Sequence, residues 1–393
     1  GIEPVELRRR NLIPANAMPY ANGLGMTYDS GDYRKALDEA LALGDVDGFK
    51  ARKAESAQRG KRRGLGIASY METSTGAPRE RTEMTVVPPA RDENGKGRID
   101  VVIGTLSSGQ GHETSFAQLV TEWLDVDFDQ VRLIQGDTDI VKFGGGSHSG
   151  RSMRLAGIIM GAATDEIIEK GKKIAGHLLE AAETDINFTD GAFTITGTDR
   201  RVGLFEVAAA AETHDDLPDD LKGPLGAESD QVIQIPAFPY GAHVCEVEVD
   251  EDTGAIELVK YAGIDDVGRA INPLILHGQA HGAIVQGLGQ AMFEHSHYDG
   301  ATGQLLAASF MDYAMPRADT MPSFDTEISE VPSTTNKLGI RAGGEGGTTP
   351  ALAVLINAIV DALADLGVRH VEMPATPERV WQAIQQARER DNA

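Results

Sequence analysis

Apolar residues along this chain fall into two rhythms, one of period two and one near 3.6, and the switches between them outline the elements. Leu65 to Tyr70, Glu83 to Val87 and Ile99 to Gly104 alternate as strands. An amphipathic helix is expected from His112 to about Leu124, then a short strand at Val131 to Ile134 and a long helix from Met153 to roughly Ala182. Asp185 to Thr196 reads as a small hairpin. The clearest hairpin runs from His243 to Val249, turns at Asp252-Thr253-Gly254 and returns over Ile256 to Ile264. A helix after Pro273, a strand around Phe324 to Ile328, an apolar helix from Ala351 to Leu366 and a polar helix from Pro377 complete the second half. Ahead of all these, Pro4 to Asn11 reads as the tail of a helix, and Asp32 opens another. The basic stretch Lys50 to Arg63 reads as a solvated helix face and turn.

Size and charge narrow the picture. A chain of 393 residues with 41% hydrophobic content suits two packed units better than one, and the acidic loop from His214 to Asp220 is the expected boundary. Lysine and arginine number 36 against 60 carboxylates, a net charge of −24. That balance argues against nucleic acid or an anionic membrane as partner. No apolar run is long enough for a membrane span, and no signal peptide is visible, so the expected location is cytoplasmic. Cys245 is the one cysteine, so this stretch of chain forms no internal disulfide and holds no iron–sulfur cluster by itself.

The 45 glycines gather in places that favour ligands. Arg341-Ala342-Gly343-Gly344-Glu345-Gly346-Gly347 precedes the apolar helix, with Thr348 or Thr349 as its expected cap and Pro350 in its first turn. Glycine on both sides lets a backbone approach a bound group closely; the plainer alternative is a solvated carboxylate near a helix N-terminus, where negative charge is favourable anyway. Ser107-Ser108-Gly109-Gln110-Gly111-His112 and Gly144-Gly145-Gly146-Ser147-His148-Ser149-Gly150-Arg151-Ser152 also lead into helices, and Gly278-Gln279-Ala280-His281 repeats the first phrase faintly. Helix starts present unpaired N–H groups and suit anions, phosphate above all. Together these segments point to one large, polar, phosphate-bearing cofactor. None matches the dinucleotide fingerprint or a P-loop. His277 and His281 lie four apart with no glutamate after the first, so ordinary hydrogen-bonded histidines are expected and no protein metal site. Ser147, Ser149 and Arg151 have no nearby base, which favours phosphate contact over nucleophilic catalysis.

These motifs, in this order, resemble the xanthine dehydrogenase/aldehyde oxidase family of molybdenum hydroxylases. The resemblance rests on Gly109 to Thr114, Gly136-Asp137-Thr138-Asp139, the serine–arginine loop, Gly278-Gln279 with Gln286-Gly287-Leu288-Gly289, and Gly344 to Gly347. It covers nearly the whole chain, corresponds to the second half of the family's large subunit, and is nearer the bacterial multi-subunit enzymes. Pro4 to Asn11 resembles a mid-subunit segment. The resemblance implies an α+β fold of two interleaved subdomains with mixed sheets and flanking helices: a helical linker at 1–63, subdomain A at 64–229 and subdomain B at 230–393.

It further implies a molybdenum–molybdopterin cofactor, in the cytosine dinucleotide form, shared with the other half of the subunit. Gly109, Gln110, Gly111, His112, Ser147, His148, Ser149, Gly150, Arg151 and Ser152 would meet the pterin and pyrophosphate, and Gln279, Gly344 and Gly346 the metal end. Glu345 matches the family's catalytic base. The expected partners are the N-terminal half of the large subunit, an iron–sulfur small subunit with [2Fe–2S] clusters and an FAD-binding medium subunit. The substrate would be a small molecule with an electron-poor carbon; a non-catalytic scaffold of the same fold is the competing expectation.

Overall fold

The computed structural model describes residues 1–391. Its helices are α1 (Pro4–Asn11), α2 (Tyr33–Leu43), α3 (Phe49–Gln58), α4 (His112–Leu124), α5 (Ser152–Leu178), α6 (Leu204–Thr213), α7 (Pro273–Met292), α8 (Thr348–Ala362) and α9 (Pro377–Asp391). The strands are β1 (Tyr20–Ala21), β2 (Thr27–Tyr28), β3 (Arg62–Met71), β4 (Arg79–Val87), β5 (Arg98–Ile103), β6 (Val131–Ile134), β7 (Ile186–Thr189), β8 (Ala192–Ile195), β9 (Arg201–Gly203), β10 (Leu225–Val232), β11 (Tyr240–Val249), β12 (Ile256–Asp266) and β13 (Asp325–Ser329). The class is α+β, with mixed sheets. Unit one comprises residues 1–74, 237–335 and 339–393; unit two, 75–236 with 336–338, is inserted in its sequence.

Unit one is built on the sheet β13-β12-β11-β3, in which β11 pairs antiparallel with both neighbours and β13 runs parallel to β12. Both faces are covered. On one, Val354, Leu355 and Ala358 of α8 join Cys245, Val247 and Leu288 in a single core; on the other, Leu37 and Ala40 of α2 meet Ile67, Val244 and Ile264. That double burial explains why β11 is buried along its whole length. It also explains its polar residues. Glu246 is paired with Arg52 (2.6 Å) and Arg63 (2.7 Å), and Glu248 with Arg59 and Arg63. The basic stretch is therefore not a solvated face: the Arg63 side chain is only 11% exposed, because buried carboxylates must be matched by cations.

Two glycines set the distance between helix and sheet. A Cβ at Gly66 would lie 1.8 Å from the Val354 carbonyl, and one at Gly64 2.0 Å from that of Ala358. The α8 backbone thus rests directly on β3. Its start differs from expectation: the helix begins at Thr348, Gly347 occupies the cap without a side-chain bond, and Thr348 Oγ1 donates instead to Ala283 O at 2.8 Å. Packing against α7 uses the hydroxyl that capping would have used.

Unit two carries the sheet β10-β4-β5-β6, with α5 packed across β4 and β10 and α4 beside α5. A smaller sheet, β7-β8-β9, contains the expected hairpin. The acidic loop expected at a boundary lies within this unit, between α6 and β10. β10 escapes the reading of apolar periodicity because it is largely polar: it pairs antiparallel with β4 along its whole length, and across that ladder Asp230 meets Arg79 at 2.7 Å and Glu228 meets Arg81.

Gly66→Ala is expected to lower unfolding free energy by roughly 1–3 kcal/mol or more, since an added methyl meets backbone that cannot rotate away. Urea unfolding measures this; an unchanged midpoint would mean that α8 can lift off β3 without cost.

Candidate functional site

In unit two the two glycine loops are stitched to each other. Ser147 Oγ donates to Leu106 O at 2.7 Å, and Ser152 Oγ lies 3.0 Å from Ser147 Oγ. Such closeness needs bare backbone: a Cβ on Gly104 would sit 2.0 Å from Gly144 Cα. Gly109 (φ +107°) and Gly111 (φ +74°) turn the chain into α4, whose first residue, His112, is buried. Its Nδ1 lies 2.9 Å from Thr105 O and its ring stacks on Phe116 at 4.6 Å. Burial pushes the His112 pKa down, favouring a neutral imidazole that shapes the turn. Gln110 Oε1 accepts from Ser108 N at 2.5 Å, which orients the amide on the loop rim.

The second loop is held from behind by Arg151. This side chain is fully buried and paired with the equally buried Glu80 at 2.7 Å. It also donates to Ala77 O (2.8 Å), Arg79 O (2.9 Å) and Gly146 O (2.6 Å). Glu80 in turn accepts from Gly145 N at 3.1 Å. The guanidinium expected to grip a pyrophosphate is thus engaged with protein acceptors, and it shapes the loop from its inner side. The outer side is carried by Gly146 (φ +74°), where an added Cβ would meet nothing within 4 Å, and by Ser149 at φ +51°. His148 folds back on the loop, Nε2 lying 3.1 Å from Gly145 O and Nδ1 3.1 Å from Ser149 Oγ. Gly150, also left-handed, leads to Arg151 and then into α5 at Ser152.

In unit one the loop Arg341–Gly347 hangs from a second buried arginine. Arg341 donates to Ser30 Oγ (2.6 Å), Ser30 O (3.0 Å), Phe238 O (3.0 Å) and Val331 O (3.2 Å), and its Nε lies 3.2 Å from Asp266. Beyond it, glycines permit contacts that other residues would block. A Cβ at Gly343 would be 2.4 Å from Leu276, at Gly346 2.4 Å from Tyr70 Oη, and at Gly347 2.6 Å from Ala280 O. Gly344 is open except for Gln279 Oε1 at 4.0 Å, which places the Gln279 amide beside the exposed part of the loop. Glu345 is exposed, and its carbonyl accepts from Thr348 N at 3.0 Å, directly before α8.

Behind the loop is a chain of polar groups that periodicity could not reveal. Tyr70 Oη donates to Asp265 Oδ1 (2.5 Å), and His243 Nε2 lies 3.0 Å from the same oxygen. Burial would raise Asp265, but His243 and the hydrogen bonds from His243 and Tyr70 together hold it below the usual carboxylate range. Glu72, directly after β3, belongs to no motif in the sequence. Burial first, then hydrogen bonding and charge repulsion with Glu345, push its pKa up to about 8. His277 and His281 both turn to Thr326 Oγ1, each at 3.0 Å, and no group of three or more potential ligands for a metal ion occurs among the described residues. Gln279 lies within α7, whereas Gln110 precedes α4, so the faint sequence repeat is not a structural one.

A sequence model of the molybdopterin cofactor-binding domain matches residues 39–322. The chain belongs to that family. It is 34% identical over 391 residues to the 6-hydroxypseudooxynicotine dehydrogenase complex subunit gamma of Paenarthrobacter nicotinovorans, covering 98% of this chain and 48% of that one. Against the carbon monoxide dehydrogenase large chain of Hydrogenophaga pseudoflava, identity is 30% over 399 residues, covering 98% and 49%. The crystal structure of quinoline 2-oxidoreductase from Pseudomonas putida 86 superposes with a TM-score of 0.88 at 32% identity, covering 98% and 50%. The chain thus spans about half the length of the curated relatives it matches.

The residues of each unit suit such a group. Around the unit-two loops the donors are backbone N–H groups, hydroxyls and an amide on bare glycine backbone, suited to phosphodiester oxygens and the edge of a pterin ring. In unit one, Gln279 and the open Gly344 flank a carboxylate.

Arg151→Met should cost about 3–5 kcal/mol of stability, because Glu80 is left charged and buried. Adding Glu80→Gln should recover most of that loss. Urea unfolding of both variants decides the matter: a single variant no less stable than the double one would remove the pair from the loop's support.

Proposed function

We propose that this chain forms the cofactor-gripping, catalytic half of the large subunit of a molybdenum hydroxylase. Its substrate is an aldehyde, an N-heterocycle or a similar small molecule with an electron-poor carbon. The observation that carries this reading is Glu345, an exposed carboxylate on glycine backbone, held before α8 by a loop that Arg341 anchors.

The molybdenum–molybdopterin cofactor, in its cytosine dinucleotide form, supplies the two-electron redox centre when bound. Gln110, with the backbone of Gly109 and Gly111, would hold the pterin. The rim of the second loop (Ser147, His148, Ser149, Gly150 and Ser152) would hold the pyrophosphate, with Arg151 supporting it from within and His112 fixing the neighbouring turn. Gln279 would place an amide at the metal end, where the open Gly344 keeps the approach clear and Gly346 lets the loop lie close on Tyr70. Glu345 takes up the proton released as oxygen from water is delivered to the substrate carbon. It is suited to that task because its backbone is fixed while its carboxylate is exposed. A small subunit with [2Fe–2S] clusters and a medium subunit with FAD would supply the electron acceptors, in a cytoplasmic complex completed by the N-terminal half of the large subunit. That the 6-hydroxypseudooxynicotine dehydrogenase relative is a complex subunit, and the carbon monoxide dehydrogenase relative a large chain, supports a multi-subunit assembly.

Glu345→Gln preserves size and hydrogen bonding but not basicity. The assembled variant should retain its molybdenum, while single-turnover reduction by substrate slows about 10²–10⁴-fold. Near-normal reduction would remove Glu345 from the chemistry, and loss of molybdenum would make it structural.

A further inference from the structure

Glu72 directly follows β3, where the Glu345 loop lies so close that a Cβ on Gly346 would stand 2.4 Å from Tyr70 Oη; its backbone N–H is bound to Pro239 O at 2.9 Å, and its carboxyl hydrogen-bonds with that of Glu345. Two carboxylates cannot hydrogen-bond to each other, since neither has a hydrogen to donate. One of the two must keep a proton. Burial decides which. Glu345 is exposed, whereas Glu72 is half-buried and its Oε2 is shut away with no hydrogen-bond partner among the described residues. A charge on Glu72 would be the worse solvated, so Glu72 is the acid and Glu345 the carboxylate.

We infer that Glu72 is a positioning residue that, as a neutral carboxylic acid, donates a hydrogen bond fixing the Glu345 carboxylate. The inference rests on the reading of Glu345 as the base. The other groups facing this pair oppose a second negative charge. Tyr70, two residues earlier on β3, is pushed well up by burial and by Asp265, with Glu72 and Asp266 adding to the effect, and Asp265 is held by His243. Loss of the Glu72 proton would set two carboxylates against each other and turn the base away from its place. The rise of Glu72 to about 8 puts that loss on the alkaline side of neutrality.

Infrared difference spectra of the assembled protein, wild type minus Glu72→Gln, test this without reference to turnover. A protonated-carboxyl band should be present at neutral pH and vanish with a midpoint near the Glu72 pKa of about 8. Single-turnover reduction gives the second readout. Glu72→Ala should slow it about tenfold or more, the loss expected for a hydrogen bond to a charged group. Glu72→Gln, which keeps a donor, should rescue most of that loss and abolish the alkaline decline seen in wild type. Absence of the band at neutral pH would overturn the inference, as would a Gln variant as slow as the Ala variant. A fully active Glu345→Gln with the band still present in wild type would instead sink the reading of Glu345 as base and leave the pair standing.

Discussion

Burying an arginine is costly unless nearly every donor finds an acceptor, and Arg341 meets that condition by drawing in four separated pieces of chain. Ser30, Phe238, Val331 and Asp266 converge on its guanidinium, and its cation lies 5.4 Å from the Tyr240 ring. Everything proposed for Glu345 depends on this constraint. A run of glycines costs conformational entropy to order and would not hold a carboxylate in place unaided. Fixed at Arg341 on one side and at α8 on the other, the loop keeps the freedom of close approach without that of wandering. Arg151 plays the same part in unit two, where Glu80 and three carbonyls absorb its charge.

The two arginines also show what a sequence motif conceals. Arg151 stands among serines and glycines and reads as a phosphate ligand, yet its side chain is fully buried and turned to the protein. A motif marks residues that a site requires, whether they touch the ligand or support those that do. Geometry separates the two roles.

Much of the fold was legible because its elements are covered on one face or both. The antiparallel pair β11–β12 and the strand at Val131–Ile134 lie where alternation placed them. The glycine motifs were legible because close approach can be met only by glycine. What could not be read depends on distant partners. β10, largely polar, owes its place to the ladder it forms with β4, and the arginines of the basic stretch owe theirs to carboxylates on β11. Glu72 carried no signal at all. A single glutamate at a strand end becomes notable only when the fold brings it to Glu345, more than half the chain away.

The molybdenum–pterin nucleotide proposed for these loops can be assayed chemically. The most direct measurement is the metal and nucleotide content of the assembled complex, by elemental analysis and by mass spectrometry of the nucleotide released on denaturation. Molybdenum and a pterin-derived nucleotide are expected in equimolar amounts with this chain. A folded, fully assembled complex that contains neither would contradict the proposal.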